Sequence, residues 1–156
     1  LWEEAEKLEK KSRLDEWYRH WFTAALNGYR GKRQVSVTEA RIATSMAPYD
    51  ALSHNDLSWV LREAGEVDEA LEWAKFSVTH DPNMYKFYFN ALVSSYEAEK
   101  KWPEAVAFGE AQVIKDSVHA KWWYDFLVTA YVMTGQTDKA TDARMKIKKL
   151  PEPPEP

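Results

Sequence analysis

Glu69-Ala70, Glu104-Ala105 and Lys139-Ala140 recur at a fixed spacing of 35 residues, and a self-similar period of that length marks stacked helical hairpins. Gly65 and Gly135 stand five residues before their alanines and Lys100 takes the equivalent place in the middle copy, so one turn is written three times. Leu57, Leu92 and Leu127 keep the period, as do Tyr96 and Tyr131, with Leu61 in the tyrosine slot of the first copy. A repeat constrains architecture more than any single residue, because each unit buries its apolar face only against the next.

Each copy reads as helix, turn, helix. From Ala51 to Ala64, Leu52, Leu57, Val60 and Leu61 fall at helical spacing; Gly65 breaks the run, and Val67 to Thr79 resumes it with Ala70, Leu71, Ala74 and Val78. Asp81-Pro82 ends the second helix, since proline lacks an amide proton and forces the residue before it out of the helical region. Pro103 does the opposite, falling just after the turn at Lys100-Lys101-Trp102, where a first-turn proline costs no hydrogen bond.

The pattern resembles the tetratricopeptide repeat family, whose signature runs from an aromatic through Leu-Gly and Tyr to Ala, an aromatic and a closing Pro. Leu57, Gly65, Ala70 and Pro82 stand in family positions, while His54 replaces the first aromatic, Ser58 the small glycine and Ser77 the second small residue. From Lys86, Phe89, Leu92, Tyr96 and Ala105 match, with Gly109 in the later aromatic slot and Ser117 in the proline slot. From Lys121, Tyr124, Leu127, Tyr131, Gly135 and Ala140 match, and Pro151 closes one residue early. An earlier copy is degenerate: Gly31, Ala43 and Pro48 lie 34 residues before Gly65, Ser77 and Pro82, but Ser36 replaces the alanine. The resemblance implies an all-α, right-handed superhelical solenoid of stacked antiparallel helix pairs. Its expected repeats are about 17–50 (degenerate), 51–85, 86–120 and 121–150, within an array from 13 to 150. The last three repeats are also loosely similar to such segments in bacterial signalling and multidomain proteins.

Composition agrees. At 156 residues, 45% hydrophobic and 29% charged, the chain has the length of one domain and enough apolar matter to fold without disulfides or metal. Four of its seven prolines lie in the last six residues, as expected of a helical body with a stiff, extended tail over 151–156. No run of about 18 apolar residues is present, so no spanning helix is expected. The absence of cysteine excludes thiol catalysis and thiolate-bound metal. A chain that begins at Leu1 rather than methionine is expected to be a processed product or an excised fragment.

The ends of the array are read from the helix faces. Ala105-Val106-Ala107-Phe108, Ala111, Val113 and Ile114 spread over several faces, as for an interior helix covered on two sides. In Thr137 to Leu150, by contrast, Ala140, Ala143, Ile147 and Leu150 form one stripe among Thr141, Asp142, Arg144, Lys146, Lys148 and Lys149, the polar outer face that a solenoid terminus requires. Trp2, Ala5 and Leu8 make a similar narrow stripe, read as a capping helix over 1–12; the alternative is the second helix of a lost repeat.

The resemblance places function on the concave face, lined by the first helix of each repeat. The family's groove positions fall on Leu52, Asn55, Asp56, Trp59 and Arg62; on Phe87, Asn90, Ala91, Ser94 and Glu97; and on Trp122, Asp125, Phe126, Thr129 and Val132. Asn55, Asn90 and Asp125 stand 35 apart, a polar ladder suited to the backbone of an extended peptide, since an amide offers donor and acceptor. Trp59, Phe87, Trp122 and Phe126 are the expected apolar anchors. Arg62, Ser94 and Thr129 complete the expected partner-binding set.

The expected partner is a protein or peptide with no acidic C-terminal tail, because Arg62 is the one cation among these positions while Asp56, Glu97 and Asp125 would repel a carboxylate. Nucleic acid is not expected: pentatricopeptide repeats share the period and read RNA, but a pI near 5.6 does not suit a phosphate-binding groove. No enzyme activity, cofactor or metal is expected, since His20, His54, His80 and His119 are scattered without a ligand or acid/base spacing. His54, in a core aromatic slot, reads as a packing histidine. Trp17, Tyr18, Trp21 and Phe22 cluster on one helix face, mostly as core, with a minority expected to form an exposed patch. The function expected is a non-enzymatic interaction module that captures a peptide or partner helix in its groove. The alternative is a structural subunit or assembly factor of a larger bacterial complex, held through convex or terminal faces.

Overall fold

The computed structural model describes residues 2–81 and 85–153, with side chains from 11 to 81 and from 87 to 153. The described residues form eight helices: α1 (Trp2–Tyr29), α2 (Arg33–Met46), α3 (Ala51–Ala64), α4 (Val67–His80), α5 (Tyr85–Glu99), α6 (Trp102–Lys115), α7 (Ala120–Met133) and α8 (Thr137–Lys149). No strand occurs among them. They gather into two compact units, Leu1–His80 and Asp81–Pro156, each made of two hairpins. In the first, α1 packs on α2, α2 on α3 and α3 on α4, with α1 also touching α3; in the second the same order holds for α5 to α8, with α5 touching α7.

All four hairpins turn in the same way. Gly31, Gly65, Lys100 and Gly135 have φ of 71°, 88°, 55° and 74°. At each, that residue's N–H reaches the carbonyl three back and the next N–H reaches the carbonyl five before it: Gly65 to Arg62 at 3.0 Å with Glu66 to Leu61 at 2.9 Å, and Lys100 to Glu97 with Lys101 to Tyr96, both at 3.2 Å. These are Schellman ends, which satisfy carbonyls that the helix leaves open. The next helix then starts identically, Ser36, Ala70, Ala105 and Ala140 each donating to the carbonyl four residues earlier at 3.0 Å. The expected turn therefore occurs a fourth time, in the degenerate copy.

Two departures from the repeat signature in the first unit are explained by one bond. Ser36 Oγ donates to the Ala24 carbonyl and Ser58 Oγ to the Ala70 carbonyl, each at 2.7 Å. Shifted by 34 residues, Ala24 becomes position 58 and Ser36 becomes position 70, so the two hairpins use the same pair of sites with serine and alanine exchanged. Either hydroxyl is fully buried and ties the first helix of its hairpin to the second.

The two cores differ in kind. The first unit is mainly aliphatic, built on Val37, Leu57, Val60, Leu61 and the alanines 24, 40 and 70, with Trp59 and Trp73 at its edge. On its surface Arg41 of α2 grips Glu69 of α4 through both guanidinium nitrogens at 2.6 and 2.7 Å. The second unit is aromatic: neighbouring rings among Phe89, Tyr96, Phe108, Trp123 and Phe126 stand 5.3–6.4 Å apart, centroid to centroid, at interplanar angles of 44–89°. Each such ring taken from water contributes about 1.5–3 kcal/mol, which gives much of the chain's aromatic excess a structural use.

Several expectations are revised. Residues 2–12 are not a separate capping helix; α1 is continuous to Tyr29, because no glycine or proline interrupts it before Gly28. The side chains of Trp2, Ala5 and Leu8 lie outside the described residues, as does Pro82, although α4 ends before Asp81 as expected. Helix α6 is not covered on all sides, since Ile114 is 83% exposed. Pro103 does sit in its first turn. Helix α8 buries Ala140 and Ala143 and leaves most of its other residues exposed among the described residues. The tail does not extend freely from α8: Pro153 is buried and Glu152 pairs with Lys121 of α7. Pro154 to Pro156 lie outside the described residues.

Candidate functional site

In the first unit the candidate surface is built on α3, whose start is held by Asp50, the side chain of which accepts from the Ser53 N–H at 2.7 Å. Ser53 Oγ donates to the same carboxylate at 2.6 Å and accepts from Trp17 Nε1 at 3.1 Å. One turn on, Trp21 Nε1 donates to the Asp56 carboxylate. The two tryptophans stack at 6.2 Å and thus clamp α1 to α3 through their N–H groups as well as their rings. Burial pushes the Asp56 carboxyl above the ordinary carboxylate range; hydrogen bonds from Trp21 and Asn55 oppose the rise, and the nearby charge of Asp50 adds to it.

Asn55 is only 5% exposed, and its Oδ1 has no hydrogen-bond partner among the described residues. Trp59 is half-buried against the core cluster, its ring 5.8 Å from Tyr29. It comes so close to Gly28 that a Cβ there would meet its ring at 3.2 Å. Arg62 is half-buried on the last turn of α3.

In the second unit α5 and α7 present the remaining positions. Phe87 is 55% exposed, edge-on to Tyr88. Asn90 and Asp125 are exposed, and Ser94, Trp122 and Thr129 half-buried. Trp122 stacks on His119 at 5.1 Å.

Phe126 departs from its expected role. It is 1% exposed and belongs to the aromatic core rather than to a groove. The cause is Gly109, in the slot where the repeat signature places an aromatic. A Cβ at Gly109 would lie 2.7 Å from Leu127 Cδ2 and 2.9 Å from Phe126 Cδ1, so α7 fills from its own side the space that a ring on α6 would occupy. The 35-residue ladder is likewise not uniform, since Asn55 is buried whereas Asn90 and Asp125 face solvent.

The histidines are held by structural contacts. His54 is buried between Trp73 and Phe76 with Nδ1 bonded to the Asp50 carbonyl at 2.8 Å, the packing role expected. His20 Nδ1 meets Glu39 at 2.5 Å, and His119 Nδ1 meets Asp116 at 2.8 Å while Trp123 Nε1 donates to the same carboxylate at 3.1 Å. Among the described residues no group of three or more His, Cys, Asp or Glu is placed to hold a metal ion, and no helix is long and apolar enough to cross a membrane.

Trp21 and the exposed Tyr18 and Phe22 were absent from the groove positions drawn from the sequence. The signal was present: carried one repeat back by 34 residues, Leu52, Asn55 and Asp56 become Tyr18, Trp21 and Phe22. The degenerate signature of that copy concealed it. Compared with known proteins, the chain matches no family model and no curated protein.

Proposed function

We propose that this chain is a tetratricopeptide-like, non-enzymatic interaction module whose hairpins stack as a right-handed solenoid and whose first helices offer a groove to a peptide or partner helix. The observation that carries the reading is the fourfold Schellman turn at Gly31, Gly65, Lys100 and Gly135, with the same helix start after each. Four hairpins of one geometry are what a stacked array requires. Capture would be reversible, with Phe87 as the apolar anchor and Asn90 and Asp125 bonding the guest's backbone or its donors. Trp122, Ser94 and Thr129 flank them on α5 and α7; in the first unit, taken by itself, Trp59 and Arg62 hold the corresponding positions on α3. Exposed Glu97 and Asp125 favour a neutral or basic guest over an acidic tail.

The test is retention of partners from the native cell's lysate by the chain and by a Phe87→Ala/Asn90→Ala/Asp125→Ala variant, identified by mass spectrometry. All three positions are exposed, so the variant should keep its fold and lose the groove ligand. Equal retention by both refutes the groove. It would favour the second reading, a subunit or assembly factor held through other faces.

A further inference from the structure

Leu14, Tyr18, Phe22, Leu26 and Tyr29 form a row along α1, and each remains between 45% and 84% exposed. Spacings of four, four, four and three residues keep them on one face. With aromatic side chains each offering roughly 150–250 Å², the row leaves on the order of 500 Å² of apolar surface in water, at the upper end of what a monomer tolerates. The exposed rings are also braced from behind. Tyr18 meets Trp17 edge-on at 4.8 Å, Phe22 meets Trp21 edge-on at 4.9 Å, and Tyr29 leans on Trp59 at 5.8 Å. Rings already held in place lose little freedom on binding.

We infer that this face is a homodimer interface in which α1 of one copy packs antiparallel on α1 of a second, about a two-fold axis at Phe22. The row is complementary to itself in that direction. Reversed upon itself, it sets Tyr18 against the partner's Leu26, Leu14 against the partner's Tyr29 and only Phe22 against its own copy, so that large rings meet smaller aliphatic groups. A parallel arrangement would stack tyrosine on tyrosine. Exposed Asp15 borders the N-terminal end of the row and exposed Arg30 the C-terminal end, so the antiparallel pairing makes two symmetric Asp15–Arg30 contacts within a rim otherwise cationic through Lys11 and Arg19, while the parallel one sets Asp15 on Asp15 and Arg30 on Arg30. Adding the flanking Lys11, Asp15, Arg19 and Arg30 brings the contact toward the about 800 Å² per partner of a standard interface. An isologous contact of this kind closes on itself and stops at two copies. Tyr18 and Phe22 share the register of Leu52 and Asp56 on α3, so a dimer would occupy the first-helix face of the first hairpin, whereas the residues that test the groove reading, Phe87, Asn90 and Asp125, lie on α5 and α7 and leave the two tests distinguishable.

Sedimentation equilibrium of the unsubstituted chain should give twice its 18.2 kDa mass, and Phe22→Glu, which places a carboxylate against its own image, should return it to the single mass with unchanged circular dichroism. Asp15→Arg should weaken the dimer by about fivefold, as two rim ion pairs warrant, and Asp15→Arg/Arg30→Asp should restore it. Because the chain has no cysteine, Phe22→Cys supplies an independent reading: it should cross-link to itself with a short bis-maleimide, whereas Ile114→Cys should not. A single mass at every concentration overturns the proposal, as does a dimer that survives Phe22→Glu, equal cross-linking at both sites, or a charge reversal that fails to restore pairing.

Discussion

Replacing Lys100 with glycine should stabilise the second unit. Lys100 is the one non-glycine residue with positive φ among the described residues, at 55°, and it occupies the turn position that Gly31, Gly65 and Gly135 fill elsewhere. A Cβ built on any of those three glycines meets nothing within 4 Å, so at these turns the cost of a side chain is conformational rather than steric. The left-handed region costs an L-residue roughly 1–2 kcal/mol, and glycine returns about 0.4–1 kcal/mol of that through the greater freedom of its unfolded chain. The net expectation is a gain of about 0.5–1 kcal/mol. With a urea dependence of about 1–3 kcal/mol per molar, that gain moves the midpoint upward by roughly 0.2–1 M. The assay is urea unfolding followed by far-ultraviolet circular dichroism, with Lys100→Ala as the control that removes the side chain but keeps the Cβ. A Lys100→Gly midpoint that is unchanged or lower, or one that Lys100→Ala matches, would refute the claim that backbone strain resides at this turn. The reciprocal change, Gly65→Ala, should cost about 1 kcal/mol in the first unit by the same reasoning.

Gly109→Ala should destabilise by about 1–3 kcal/mol, because its new methyl group would fall 2.7 Å from Leu127 Cδ2 and α6 and α7 would have to part; thermal unfolding that matches the parent would disprove the tight fit. Ser58→Ala should cost about 1 kcal/mol, the ordinary worth of the buried bond it removes. A cost within error of zero in chemical denaturation would show that the Ala70 carbonyl does not need it. Asp56→Asn should stabilise the fold near neutral pH and not at pH 3. A carboxyl whose pKa is raised on folding holds its proton more tightly when folded, so the penalty for its charge is absent below the ordinary 3.8 and grows as pH rises through the folded value. An asparagine keeps an acceptor for Trp21. Urea midpoints of both proteins at the two pH values decide it, and a gain that persists in acid contradicts the assignment.

The period, the four turns, the packing role of His54 and the polar outer face of α8 were legible in the sequence because each is local. A Schellman turn needs only the dihedral of one residue and the carbonyls of the turn before it, and a helical stripe follows from 3.6 residues per turn. Lys100 shows how far this reaches, since register alone puts it in a glycine's position and its φ is that of a glycine turn. Burial was not legible in the same way. Asn55, Asn90 and Asp125 share one register, yet Asn55 lies between residues that Trp17 and Trp21 engage while the other two face solvent. Register fixes the direction in which a side chain leaves its own helix, and only the neighbouring helix decides what it meets. Phe126 went into the core because Gly109 on α6 left room for it, and Tyr18 and Phe22 stayed out because nothing described packs beyond α1. The repeat is written in the spacing of single residues, but the surfaces available to a partner arise from pairs of helices, whose contacts no single helix specifies.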